Sequence, residues 1–131
     1  MLIPIPVVLL DAYFETVPCN CVLLNNVQGA YLAARHLIRT CKTQPGYLHS
    51  AYPISNFAER SSGFYKAVRA AGMSSSRSIV HKLTPSMEGA YADMMELIKN
   101  GEELAPCYFA DNDLIAVGAI KALKESGYRI P

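Results

Sequence analysis

Short, continuous apolar runs alternate along this chain with longer stretches in which apolar residues recur every three or four positions. Ile5 to Leu10 is an apolar run of strand length. Val27 to Cys41 then carries Val27, Ala30, Tyr31, Ala34, Leu37, Ile38 and Cys41 at helical spacing, with Arg35 and Arg39 off that face. Gly46 to His49 predicts the next strand. After a polar loop, Phe57, Ser61, Phe64, Val68 and Ala71 mark a helix that stops at Gly72, a residue suited to ending one. Ser74 to Ser78 reads as a solvated loop, and Ile79 to Leu83 as a strand. Ser86 is placed to cap a helix whose Met87, Ala90, Tyr91, Met94, Met95 and Ile98 form one core-facing stripe, ending at Asn100-Gly101. Cys107 to Ala110 predicts the last strand, followed by a helix from about Asn112 that closes at Gly127. Such alternation predicts an α/β fold with a parallel sheet and right-handed crossovers.

Composition narrows the class. With 131 residues, 51% hydrophobic and 18% charged, the chain buries one core and reads as a single domain. Twelve basic and eleven acidic residues are spread along it for a net charge of +1, so it lacks the dense basic surface of a nucleic-acid binder. The apolar start from Met1 to Leu10 has no basic n-region, carries Pro4 and Pro6, and runs straight into Asp11, which argues against a secretory signal. No run approaches the roughly eighteen apolar residues of a membrane span, and a cytoplasmic protein with no membrane partner is expected. Cys19, Cys21, Cys41 and Cys107 fit no zinc spacing and read as reduced thiols, so neither metal nor cofactor is expected.

Candidate chemistry gathers in Tyr108-Phe-Ala-Asp-Asn-Asp-Leu-Ile-Ala-Val-Gly-Ala-Ile-Lys-Ala-Leu123, a strand that breaks into an acidic turn and becomes an Ala/Gly-rich helix. An open α/β sheet binds its ligand at the carboxyl ends of its strands. Three loops fall there: Ser50 to Phe57, Thr84 to Ser86, and Ala110 to Asp113. Arg60 and Asp113 each lie early in the helix after such a loop. A guanidinium fork and a carboxylate together suit a polyhydroxylated ligand or a heterocycle, although the same two residues also serve as a surface ion pair. These strand ends and helix starts supply the candidate ligand contacts Arg60, Asp113, Asn112, Phe57 and Ser50, with the ion pair the reading that spacing alone favours. The enzyme motifs G-x-S-x-G, P-loop, G-x-G-x-x-G and H-E-x-x-H are absent, so no catalytic residue is expected. A hydrolase pairing His49 with Asp113 is the reading from another class, and His36 and His81 read as surface or core histidines.

The acidic-turn run, with Lys124-Glu-Ser-Gly-Tyr-Arg-Ile-Pro131 after it, resembles the effector-binding domain of the lactose/galactose-repressor (LacI/GalR) family of bacterial transcription regulators, a fold shared with periplasmic sugar-binding proteins. Ile5 to Asp11 resembles the strand that closes the family's N-terminal subdomain, and Asn25 to Leu37 the first helix of its C-terminal subdomain. Glu59-Arg-Ser-Ser-Gly-Phe64 resembles the Arg-x-x-Gly-Phe segment whose arginine, here Arg60, binds effector, and the acid of the Asn-Asp pair corresponds to Asp113. The resemblance implies a three-layer αβα, periplasmic-binding-protein-like type I fold, truncated. Residues 1–24 would be strand and linker from the N-terminal subdomain, and 25–131 an incomplete C-terminal effector-binding subdomain. It further implies a small-molecule effector, a sugar or nucleobase, a homodimer, and DNA contact only through an N-terminal domain absent from this sequence. Thr84 and Pro85 stand where some relatives place an aromatic that stacks on ligand. A solute-binding receptor of a sugar transport system shares the fold and is the closest alternative. Truncation would leave the Cys107 to Ala110 strand with an open edge, and Ile5 to Leu10, from this chain or a partner, is the strand expected to cover it.

Overall fold

The computed structural model describes residues 5–131, so Met1 to Pro4 of the apolar start lie outside the described residues. In chain order the elements are β1 (Val8–Leu10), β2 (Asn20–Val22), α1 (Asn26–Cys41), β3 (Gly46–Ser50) and α2 (Ser55–Ala70). A 3-10 turn at Ser75–Arg77 leads to β4 (Val80–Leu83), α3 (Met87–Lys99), β5 (Tyr108–Ala110) and α4 (Asp113–Glu125). The main sheet has the order β4-β3-β5 and is parallel throughout, with Tyr47 beside Val80 and Phe109, and Leu48 beside His81 and Ala110.

Alternation along β3 divides the core into two. Tyr47 points to the layer of α1 and α2, where it joins Ala34, Phe64, Ala67 and Val68. Its ring stacks on Phe64 at 4.7 Å and on Phe109 at 5.3 Å. Leu48 points the other way, into a cluster of Leu83, Met94, Ile115, Ala119 and Leu123 beneath α3 and α4. The result is the expected three-layer αβα arrangement around a parallel sheet. Helix starts follow the expected chemistry at three of four helices. Asn25, Ser86 and Asn112 accept from the backbone N–H groups of Gln28, Gly89 and Ile115 at 3.2, 3.0 and 2.9 Å. At α2 the cap position is Ile54, which offers no side-chain acceptor.

Several boundaries depart from the sequence reading. The first strand occupies only Val8–Leu10 of the apolar run, and it pairs in parallel with β2, which no periodicity announced because all three of its residues are exposed. Ile5 to Leu10 of this same chain therefore does not cover β5. Closing the short loop to β2 costs less chain entropy than reaching across to the far sheet. Among the described residues no strand pairs with the outer edge of β5, and an apolar groove of about 470 Å³ runs along it between Leu37, Cys107, Ile120 and Leu123. The polar loop before β4 holds the 3-10 turn, and Met87 of the α3 stripe is exposed while Ala90 and Met94 are buried. No helix among the described residues is long and apolar enough to cross a membrane.

Two glycines set how closely the helices of each layer approach. A Cβ on Gly63 of α2 would meet the Val27 carbonyl of α1 at 2.1 Å, and one on Gly118 of α4 would meet the Met87 carbonyl of α3 at 2.5 Å. Both contacts are with backbone, which cannot swing aside. Gly118→Ala is expected to destabilise the chain by about 1–3 kcal/mol in urea unfolding even though alanine is the better helix former. Gly29→Ala, at an α1 position with nothing within 4 Å, should instead stabilise by up to about 1 kcal/mol.

His81 on β4 is buried and bonds the Tyr108 hydroxyl at 3.1 Å. Burial lowers its pKa, with Glu102 opposing in part, so the folded chain holds a neutral imidazole. The unfolded chain takes up this proton near pH 6.5 and the folded chain only at lower pH. Stability should therefore be full above that pH and fall on acidification through it. Denaturation midpoints of wild type and His81→Leu between pH 7.5 and 5.5 should show a shallower acid slope in the variant.

Candidate functional site

The carboxyl ends of β3 and β5 meet at Asp111, which is only 2% exposed. Its carboxylate accepts from the Tyr47 hydroxyl, from His49 Nδ1 at 2.5 Å and from the Ser50 backbone N–H at 2.7 Å. Burial and the adjacent Asp111 carboxylate push the Tyr47 phenol far above its ordinary range, which keeps its proton available to donate. An unmatched carboxylate at this depth would cost several kcal/mol, and three donors satisfy it. The backbone carbonyl of the same residue accepts from Arg60 Nη1 at 2.5 Å.

Arg60 is thereby fixed from several sides. Its Nε donates to Asn26 Oδ1 at 2.9 Å, and the Asn26 amide in turn donates to Glu59 at 3.2 Å. The Phe57 ring lies 5.7 Å from the guanidinium carbon. Neither Glu59 nor Asp113 pairs with Arg60 among the described residues, so the surface ion pair weighed in the sequence is not formed. Nη2 makes no hydrogen bond there.

Asp113 is the first residue of α4. It is exposed and has no hydrogen-bond partner among the described residues, while Asn112 spends its carbonyl oxygen on the helix cap. Arg60, Asp111, Asn112 and Asp113 border one depression of about 710 Å³, which opens at the carboxyl end of the sheet and continues past Tyr108 along the free edge of β5. Phe57 and Ser50 border a neighbouring depression of about 360 Å³, together with His49, Tyr52 and Lys82. Phe57 relates the two, since it borders the second while its ring faces Arg60, which borders the first. The Ser50 hydroxyl is engaged locally, accepting from the Tyr52 backbone N–H at 3.0 Å. The Thr84 to Ser86 loop borders neither depression: Thr84 donates from its N–H and its hydroxyl to Asp93, and Lys82 takes the wall position instead.

The sequence reading missed the residue at the centre of this arrangement. Asp111 appeared there only as one of the two acids of a turn, and His49 was paired with Asp113. The observed partner is Asp111, because His49 and Asp111 stand at the ends of hydrogen-bonded neighbouring strands. That adjacency was the available signal. Asn26, which orients Arg60, had none.

A parallel αβα sheet with polar groups gathered at the carboxyl ends of its strands is the arrangement in which open α/β domains take up their ligands. The chain belongs to the family described as periplasmic binding proteins and sugar-binding domain of LacI family, whose model matches residues 3–131. It is 38% identical over 112 residues to the HTH-type transcriptional regulator GalS of Salmonella typhimurium, covering 86% of this chain and 33% of that protein. It is 30% identical over 127 residues to the HTH-type transcriptional repressor PurR of Mannheimia succiniciproducens, covering 97% of this chain and 38% of that one. A crystal structure of a LacI family transcriptional regulator from Enterococcus faecium with bound ribose superposes with a TM-score of 0.83 at 28% identity, over 96% of this chain and 46% of that one. The chain thus spans about a third of the length of the curated relatives it matches.

Removing the central acceptor should expose its structural weight. Asp111→Ala leaves the buried Tyr47 hydroxyl and the Ser50 N–H without a partner, and is expected to cost about 3–5 kcal/mol in urea unfolding. Tyr47→Phe removes one donor to a charged acceptor and should cost about 1.5–3 kcal/mol, with the helical circular-dichroism spectrum retained.

Proposed function

We propose that this chain is the effector-binding part of a LacI/GalR-type transcription regulator, and that the ligand is a small polar molecule, a sugar in preference to a nucleobase. The carrying observation is the pairing, around one depression, of a guanidinium held rigid by Asn26 and Asp111 with the unpartnered carboxylate of Asp113. A fixed donor fork opposite a free acceptor matches vicinal hydroxyls, which both give and take hydrogen bonds. That the relatives GalS and PurR are transcriptional regulators supports regulation over transport, and the similar Enterococcus faecium regulator holds ribose. Asn112, Phe57 and Ser50 complete the contacts, with Phe57 acting through its support of Arg60.

In this reading the chain performs no catalysis. His49 is committed to Asp111, so it does not form the acid-base pair with Asp113 that a hydrolase reading required. DNA contact belongs to a separate N-terminal domain, the working form is a cytoplasmic homodimer, and residues 1–24 belong with the opposing subdomain. Effector binding shifts the protein between two subdomain closures and so between two operator affinities.

Calorimetric titration of the full-length protein with candidate sugars and nucleobases tests the site. Asp113→Ala should weaken effector binding by about 1.5–3 kcal/mol and leave effector-free operator affinity unchanged in a gel shift. Arg60→Ala should weaken it at least as much. Asp113 is the cleaner probe, since Arg60 also satisfies Asn26 and the Asp111 carbonyl. Unchanged affinity in both variants overturns the assignment.

A further inference from the structure

The second depression contains a group that the proposed contacts leave unused. His49 has a side chain 23% exposed, its ring stacked 4.8 Å over Tyr47, and its Nδ1 against Asp111 Oδ2. A carboxylate only accepts, so Nδ1 carries the hydrogen of that bond. In the neutral ring this makes Nε2 an acceptor. Nε2 has no hydrogen bond among the described residues, and the residue borders the depression formed by Ser50, Tyr52, Ile54, Phe57 and Lys82. Lys82 stands beside His49 in register on β4 and is exposed.

We propose that His49 is a further effector-contacting residue, whose Nε2 accepts a hydrogen bond from a ligand hydroxyl while Lys82 donates to the oxygen of the same hydroxyl. Asp111 is the positioning residue that fixes the tautomer and the ring plane, as a carboxylate behind a histidine does at many sites. The two depressions are then halves of one site, joined over Phe57. Arg60 and Asp113 hold one end of the ligand, and His49 and Lys82 read a hydroxyl at the other. A ligand lacking that hydroxyl would leave Nε2 desolvated and unpartnered, which makes the position selective rather than merely adhesive. This inference rests on the sugar reading above.

Two substitutions separate the two nitrogens. In His49→Asn the shorter amide reaches only the place of Nδ1, so the bond to Asp111 is kept and the cleft-facing acceptor is lost. In His49→Gln the amide reaches the place of Nε2, so the acceptor is kept and the Asp111 bond is lost. Titration of the full-length protein with D-ribose, D-galactose and D-glucose should show His49→Asn binding the preferred sugar about five- to tenfold more weakly, the effect of one neutral hydrogen bond, with a ligand-free melting temperature lowered only by loss of the Tyr47 stack and so less than in His49→Gln. His49→Gln should bind within about twofold of wild type and melt several degrees lower. A sugar bound equally by wild type and His49→Asn, but lost in Asp113→Ala, overturns the role of His49 and leaves the proposed site standing. Equal affinities with both variants melting low assign His49 to structure alone and overturn it too. Failure of wild type to bind any of the three removes the sugar reading and this inference with it.

Discussion

The Asp111 carboxylate is the interaction on which the functional edge depends. Strand β5 has three residues and a correspondingly short ladder to β3. Side-chain bonds from Tyr47 and His49 and a backbone bond from Ser50 all converge on the residue that follows β5, so they lock the turn into α4 against the end of β3. The Asp111 carbonyl then anchors Arg60, which brings α2 into the same unit. One buried anion thus joins two strands and two helices where a ligand would approach. Its burial is tolerable only because every donor is present, and this makes the cluster specific as well as strong.

Behind that edge the layers are set by close helix approach. Gly63 and Gly118 play the same part on opposite faces of the sheet, each letting one helix backbone rest against the next. Away from these layers the surface is unusually apolar. Val8, Leu10, Phe14, Val22 and Leu24, on the arm that carries β1 and β2, are each more than half exposed, and the groove beside β5 is lined mainly by aliphatic groups. Asn56 at the start of α2 bonds Asp11 just after β1, so the arm leaves the domain beside the cluster rather than at its far end.

Most of the fold was legible because its helices are long and amphipathic and its three central strands are short apolar runs between turn residues. The caps at Ser86 and Asn112 could be read from residue type, and the Gly72 and Gly127 stops from the need for positive φ, observed at 75° and 90°. β2 was hidden because Asn20–Val22 buries no face and so carries no period. The site was legible as a place and only partly as a network. Arg60 and Asp113 could be placed at strand ends by counting elements. The role of Asp111 depends on which strands are neighbours, and β3 lies beside β5 although α2, β4 and α3 intervene in sequence. Asn26 was out of reach for the same reason: its contact with Arg60 spans two helices and depends on how closely Gly63 lets them pack.

The rigidity of this wall constrains how a switch built on it works. Arg60 is already bound at Nε and Nη1 and rests on Phe57, so under the proposed function a ligand would meet it with little further ordering and the contact would gain affinity at low entropic cost. A contact equally available in every closure of the protein, however, adds the same free energy to each, and such a contact moves no equilibrium. Under the proposed function, discrimination between closures must therefore come from groups across the cleft or from contacts at its margin that form only when the opposing wall arrives. Exposed Asp113 and Lys82 are placed at such margins, whereas Arg60 and the Asp111 cluster are not. In that proposal the buried cluster would supply orientation and a constant part of the affinity, and the exposed charges at its rim would be where binding energy is converted into a change of state.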